Sequence, residues 1–177
     1  MGYVLITASP QPAPPPSLPA PAYSVRSARA EDAAELAELS RPFVRSGALR
    51  ERSVPLYAAR AADFLVAQAP GGGLIEGSVG LRVYPAAPGE GSGSVGVLYN
   101  FCVAGHRQGS GVGAGLLRAA LAMAHARSLG ALFAATTGGG GLFLRYGFAP
   151  TTTRRAPSSW VRSLDPRRNA RILAKSL

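Results

Sequence analysis

The segment that most constrains the fold is a strand, a glycine-rich turn and a helix in immediate succession. Residues 95–103, Val-Gly-Val-Leu-Tyr-Asn-Phe-Cys-Val, are the most apolar stretch of the 177-residue chain and read as a central strand. Gly105-His106-Arg107-Gln108-Gly109-Ser110-Gly111-Val112-Gly113 follows. A helix is then expected from Ser110 to about Leu129, with Leu116, Leu117, Ala120, Leu121 and Ala124 at core spacing and Gly130 as its stop. Alternating glycines let the backbone turn tightly and leave amides free at a positive helix start, which suits a pyrophosphate. Arg107, Gln108 and Ser110 add side-chain donors, and no acidic residue lies nearby in the sequence to oppose an anion. A dinucleotide fingerprint needs a third glycine where Ala114 stands and a carboxylate about 20 residues on; none occurs between Glu90 and Asp165. The only lysine is Lys175, so a P-loop is excluded as well.

The remaining elements arrange themselves around this unit. Seven prolines between Pro10 and Pro21 make residues 1–22 a proline-rich tail expected to be mobile, and the folded domain is expected at 23–177. Tyr23–Arg26 reads as a strand, Glu31–Ser40 and Ser53–Asp63 as helices, and Phe64–Ala67 and Leu74–Val83 as strands joined by a glycine turn. Pro85–Gly93 reads as a flexible loop. After the long helix come a strand at Ala131–Thr137, a short helix at Leu142–Tyr146, and strands at Phe148–Thr153 and Ala170–Ala174 beyond an irregular segment. The fold class is α+β, a mixed sheet flanked by helices.

Charge and cysteine usage narrow the partners. The net charge is +10, yet residues 1–90 balance eight Arg against eight Asp and Glu, while residues 91–177 set eleven basic residues against Asp165 alone. Such a field favours an anionic ligand. The basic residues lack the interleaved aromatics of a stacking surface, so nucleic acid is the weakest candidate partner. Cys102 is the single cysteine and His106 and His125 the two histidines, without carboxylates at ligand spacing, so no metal is expected. A lone cysteine fits a reducing, cytoplasmic setting, and no apolar run approaches the ~18 residues of a membrane span.

Gln108-x-x-Gly111-x-Gly113, placed after a strand ending Phe101-Cys102-Val103, resembles the Q/R-x-x-G-x-G/A signature of the GCN5-related N-acetyltransferases. Arg26–Leu39 looks like that family's opening strand and helix, and Leu142–Phe148 like its "FFxxxGF" segment, so the resemblance covers roughly residues 23–177. It implies a mostly antiparallel mixed sheet and acetyl-CoA as co-substrate. The implied cofactor contacts are Phe101, Cys102, Val103, Arg107, Gln108, Gly109, Ser110, Gly111, Val112, Gly113 and Ala114, with the Val103 N–H as donor to the thioester carbonyl.

Three segments, 46–53, 80–82 and 167–173, narrow the resemblance to stand-alone amino-acid acetyltransferases related to the N-acetylglutamate synthase domain. It implies that Arg52, Arg82 and Arg167, helped by Asn169, hold the carboxylates of a small-molecule amine, an acidic amino acid such as glutamate, or glutamine. Bidentate guanidinium pairing suits that task. The positions where relatives often carry a base and an acid are Val97 and Phe143, which leaves Tyr99, His106, Cys102 or a bound water as candidate base. Another amine, a protein N-terminus, or a module that binds acetyl-CoA without turnover stay open, as does a homodimer.

Overall fold

A computed structural model describes residues 22–86 and 93–177. Almost all of the proline-rich tail, and the middle of the Pro85–Gly93 loop, lie outside the described residues. In chain order the elements are β1 (Ser24–Ser27), α1 (Ala33–Arg45), α2 (Val54–Ala59), β2 (Phe64–Gln68), β3 (Ile75–Tyr84), β4 (Val95–Val103), α3 (Val112–Ala126), β5 (Ala131–Thr136), α4 (Gly141–Arg145), β6 (Ala149–Pro150), α5 (Ser158–Ser163) and β7 (Arg171–Ser176). The strands form one sheet in the order β1-β2-β3-β4-β5-β7-β6. Every pairing is antiparallel except β4 with β5.

Both faces of the sheet are covered, and the strands alternate accordingly. Leu65 and Ala67 of β2, with Val79, Leu81 and Leu98, pack under α3 through Leu116, Leu117 and Ala120. Phe64 and Val66 turn the other way, toward Leu36 of α1 and Tyr57 of α2. Farther along that second face Val97, Phe133 and Ile172 pack against Trp160 of α5.

Several expectations differ from the observed elements: the helix expected at Ser53–Asp63 is α2 only to Ala59, with a separate 3-10 turn at Ala61–Asp63, and three further departures have a visible cause. α1 runs through Pro42 to Arg45 instead of ending at Ser40; the Ser40 hydroxyl donates toward the carbonyls of Leu36 and Ala37, and its apolar face is already anchored by Leu36. The segment read as irregular contains α5, held by Trp160 against Phe133 with ring centroids 6.3 Å apart. The strand expected at Phe148–Thr153 is only Ala149–Pro150, paired with Ala174 and Leu173 at the sheet edge.

The feature that positions the site is where β4 and β5 part. They pair from Val95–Ala131 to Leu98–Ala134, after which β5 continues only with β7. On its other side β4 continues with β3, but Ser78 faces Cys102 while Gly80 faces Tyr99, so Val79 opposes both Asn100 and Phe101. Asn100 takes up that extra residue in the left-handed region, at φ 50°. The bulge bends β4 away from β5, and residues 99–103 face no strand on that side among the described residues.

Candidate active site

The turn from Gly105 to Gly113 lies beside this opening. Gly109 and Gly111 have φ of 80° and 89°, a conformation that side-chain-bearing residues seldom adopt. A Cβ on Gly105, Gly109 or Gly111 would meet nothing within 4 Å, so the turn presents bare backbone. The amides of Val112, Gly113 and Ala114 open α3, where no carbonyl lies one turn earlier to receive them.

Hydrogen-bond parity orients the end of β4. The Ala104 N–H donates to the Glu76 carbonyl at 2.8 Å, so the adjacent pair, Val103 with Gly77, is of the non-hydrogen-bonded kind. The N–H and C=O of Val103 therefore turn toward the side that β5 has left. Gln108 Nε2 donates to that carbonyl at 3.2 Å, leaving the N–H directed into the opening.

The side chains of the turn sit differently from expectation. Glu76, the second residue of β3, brings an acid to the turn: Arg107 Nε lies 2.9 Å from its Oε2 and His106 Nε2 lies 3.6 Å from its Oε1. The Arg107–Glu76 contact is an ion pair without hydrogen-bond alignment, since neither atom completes a hydrogen bond. Arg107 Nη2 also donates to the Ala22 carbonyl at 3.2 Å. Backbone amides, with the Ser110 hydroxyl that now donates to Arg107 O, are thus the groups of the turn left free to meet an anion, while Arg107 and Gln108 are engaged within the protein. The surroundings fit a pyrophosphate and an extended chain: an unhindered glycine turn, orphan helix-start amides and a free strand edge.

On the opposite face of the sheet, at the same bulge, is a cavity of about 160 Å³. Its walls come from the α1–α2 loop, β3, β4, the end of β5, α5 and the turn before β7. Arg50, Arg52, Arg82 and Arg168 all line it, with Asp165 as its one acidic residue. Arg52 and Arg82 flank the Tyr99 ring, their guanidinium carbons 5.1 and 5.3 Å from its centroid. Gly80 permits this packing, because a Cβ there would fall 2.6 Å from the Tyr99 ring. Arg52 Nη1 donates to Asn100 Oδ1 at 2.8 Å, and Asn100 Nδ2 donates to the Tyr57 hydroxyl at 2.8 Å. Burial lowers the Arg52 pKa from its ordinary value. Arg82 Nε is buried with no hydrogen-bond partner among the described residues, a condition that native structures rarely leave uncompensated.

Of the four residues expected to grip carboxylates, two meet and two do not. Arg52 and Arg82 converge on the cavity, whereas Arg167 and Asn169 are exposed and do not line it. Arg168 takes that wall instead: Nη2 donates to Gly47 O at 2.7 Å and to Ala48 O, tying the turn to the α1–α2 loop. The offset arises because Asp165 Oδ1 accepts the Arg167 N–H at 3.0 Å and Asn169 reverses the chain at φ 44°.

Tyr99 is held as a hydrogen-bonded phenol. Its hydroxyl donates to Asp63 Oδ2 at 2.9 Å, and burial, reinforced by the Asp63 charge, raises its pKa far above the ordinary value. Cys102 is buried beside Ser78, and burial pushes its thiol up to about 11. Val97 is buried within the Phe133–Trp160 cluster. Phe143 meets Phe101 and Phe148 edge-on at 5.7 and 5.3 Å.

No family model matches this sequence, and neither does any curated protein. Solved structures do. The acetylglutamate synthase of Neisseria gonorrhoeae, crystallised with coenzyme A and N-acetyl-glutamate, matches 88% of this chain at 26% identity with a TM-score of 0.76. The match takes up 35% of that enzyme, so the chain spans about a third of its length. Rv2747 from Mycobacterium tuberculosis, in complex with CoA and NLQ, matches 87% of this chain and 99% of its own at 20% identity and a TM-score of 0.72. An acetyltransferase of the GNAT family from Staphylococcus aureus Mu50 matches 88% of this chain and 99% of its own at 15% identity and a TM-score of 0.68. With its parted β4 and β5, its glycine turn and these neighbours, the chain has the fold of the GCN5-related N-acetyltransferases.

Proposed function

We propose that this chain is an acetyl-CoA-dependent N-acetyltransferase whose acceptor is a small acidic amino acid such as glutamate, or glutamine. The observation that carries the acceptor class is the buried, unpartnered Nε of Arg82 on a cavity wall shared with Arg50, Arg52 and Arg168. A carboxylate supplies the acceptor such a group lacks, and guanidinium pairing to it is directional as well as strong. The cavity's 160 Å³ is small beside the ~300–1,000 Å³ of drug-sized sites, which suits a metabolite of a few heavy atoms. The Neisseria synthase, crystallised with N-acetyl-glutamate, favours the same class.

Acetyl-CoA, when bound, supplies a thioester carbonyl open to attack by an amine. The residues that would hold it are the 99–103 edge of β4 and the amides from Gly109 to Ala114, with the Ser110 hydroxyl beside them. The Val103 N–H would donate to the carbonyl oxygen, where negative charge develops, and such fixed donors contribute much of an acyl-transfer rate. Arg52, Arg82 and Arg168 would fix the acceptor on the opposite face, so the two reactants meet across the bulge at Asn100. Val97 and Phe143 offer no proton-transfer group, so positioning and electrostatics carry the acceleration here.

The test is acetyl transfer from acetyl-CoA to a panel of amino acids. Turnover of glutamate or glutamine well above the other neutral and the basic amino acids is expected, and turnover of neither rejects the acceptor class. The apolar residues at 97 and 143 favour a second reading, a module that binds acetyl-CoA without chemistry. CoA binding with no acetyl transfer to any amine would select it.

A further inference from the structure

The arginines account for carboxylates and leave the acceptor's ammonium without a partner. We infer that Asp165 is the specificity residue for that ammonium; the inference rests on the acceptor class proposed above. Among the described residues Asp165 is the one acidic residue on the cavity wall, which it shares with Arg50, Arg52, Arg82 and Arg168. Two carboxylates and one ammonium on the ligand would then find opposite charges on the protein, with the single negative one at Asp165. The residue is exposed, and among the described residues only its Oδ1 is engaged, by the Arg167 N–H at 3.0 Å. That bond caps the turn Pro166–Arg168, which fixes the carboxylate and presents Arg168 to the same cavity. The other oxygen, Oδ2, is the group that meets an ammonium. It stands on the turn before β7, so this chain gathers its only cavity acid from a different part of the fold than β4, where Val97 is apolar.

A structural duty and a recognition duty can be separated chemically. Asparagine caps such a turn about as well as aspartate, so Asp165→Asn keeps the Oδ1 bond and removes only the charge. Two probes report on it by calorimetry on the full chain with CoA present: glutamate, and glutarate, which has both carboxylates and no amine. The expected result is that Asp165→Asn weakens glutamate by about 10- to 100-fold, the range of one charge-assisted hydrogen bond, while glutarate binds as before or more tightly. Equal loss of both ligands would mean that Asp165 only shapes the turn, and an unchanged glutamate affinity would mean that it does not touch the amine. Either result overturns the inference while leaving the acidic-acceptor reading intact. If the unaltered protein binds neither probe, that reading falls and this one with it.

Discussion

Arg52 and Asn100 are joined at 2.8 Å across the floor of the cavity, and this bond links the substrate wall to the bulge that opens the sheet. Asn100 is held from the other side by Tyr57, whose hydroxyl lies 2.8 Å from Ser40 Oγ, so the chain of contacts ends inside α1. Tyr57→Phe leaves the buried Asn100 amide without its partner, at a cost of about 1–3 kcal/mol. Urea unfolding should show that loss, and the KM for the amino acid should rise because Arg52 loses its brace. Asn100→Ala should be less stable than Asn100→Gly by ~1 kcal/mol, since only glycine adopts the left-handed φ freely.

Arg168 and Arg167 are neighbours in sequence with opposite surroundings. Arg168→Ala should raise the KM for the amino acid by roughly 10-fold or more, the range of a charged hydrogen bond, with little change in CoA affinity. Arg167→Ala should leave both within about twofold, as is usual for exposed side chains. Steady-state kinetics on the pair checks the assignment, and a reversed order would return the role to Arg167.

Gly111 works through its backbone. Its φ of 89° makes Gly111→Ala strained by about 1–2 kcal/mol, even though its Cβ would meet nothing. The strain falls on the turn that opens α3, so CoA affinity should drop while urea stability changes by no more than the strain itself. Calorimetric titration with CoA distinguishes this from a steric block, which Gly113→Val would introduce against Leu142 and Val103.

Cys102 sets an alkaline limit. Its folded pKa of about 11 lies above the ordinary 9.0, so the folded state keeps the proton longer than the unfolded state does. Its contribution to stability is complete below pH 9 and is lost as pH rises from about 9 toward 11. Unfolding followed across that window should show a falling limb that flattens in Cys102→Ala. In the native protein at pH 8 the thiol should react with a disulfide reagent only at the rate of unfolding.

Local signals were legible and long-range ones were not. β4 matches its expected span, Val95–Val103, because a run of apolar residues broken by one polar side chain, Asn100, and flanked by glycine-containing turns leaves few alternatives. The bends that give β4 its function were invisible, because Asn100 does not announce a left-handed conformation and the bulge depends on β3. Glu76 escaped notice for a related reason: it lies 30 residues before His106 in sequence and meets the turn only when β3 and β4 pair. The exchange of Arg167 for Arg168 turns on one residue of phase in a turn, set by an Asp165 cap and an Asn169 reversal. α5 is too short to show periodicity and exists because Trp160 has a surface to cover.

The parting of β4 from β5 leaves an unpaired strand edge inside the sheet rather than at its border. Outer edges invite a strand from another chain, and proteins commonly shorten or charge them for that reason; here the outer positions fall to the brief β1 and β6. The inner edge lies instead between β3 and the departing β5, within the sheet. A free edge so placed offers its backbone groups to a narrow, extended ligand while the borders of the sheet stay short.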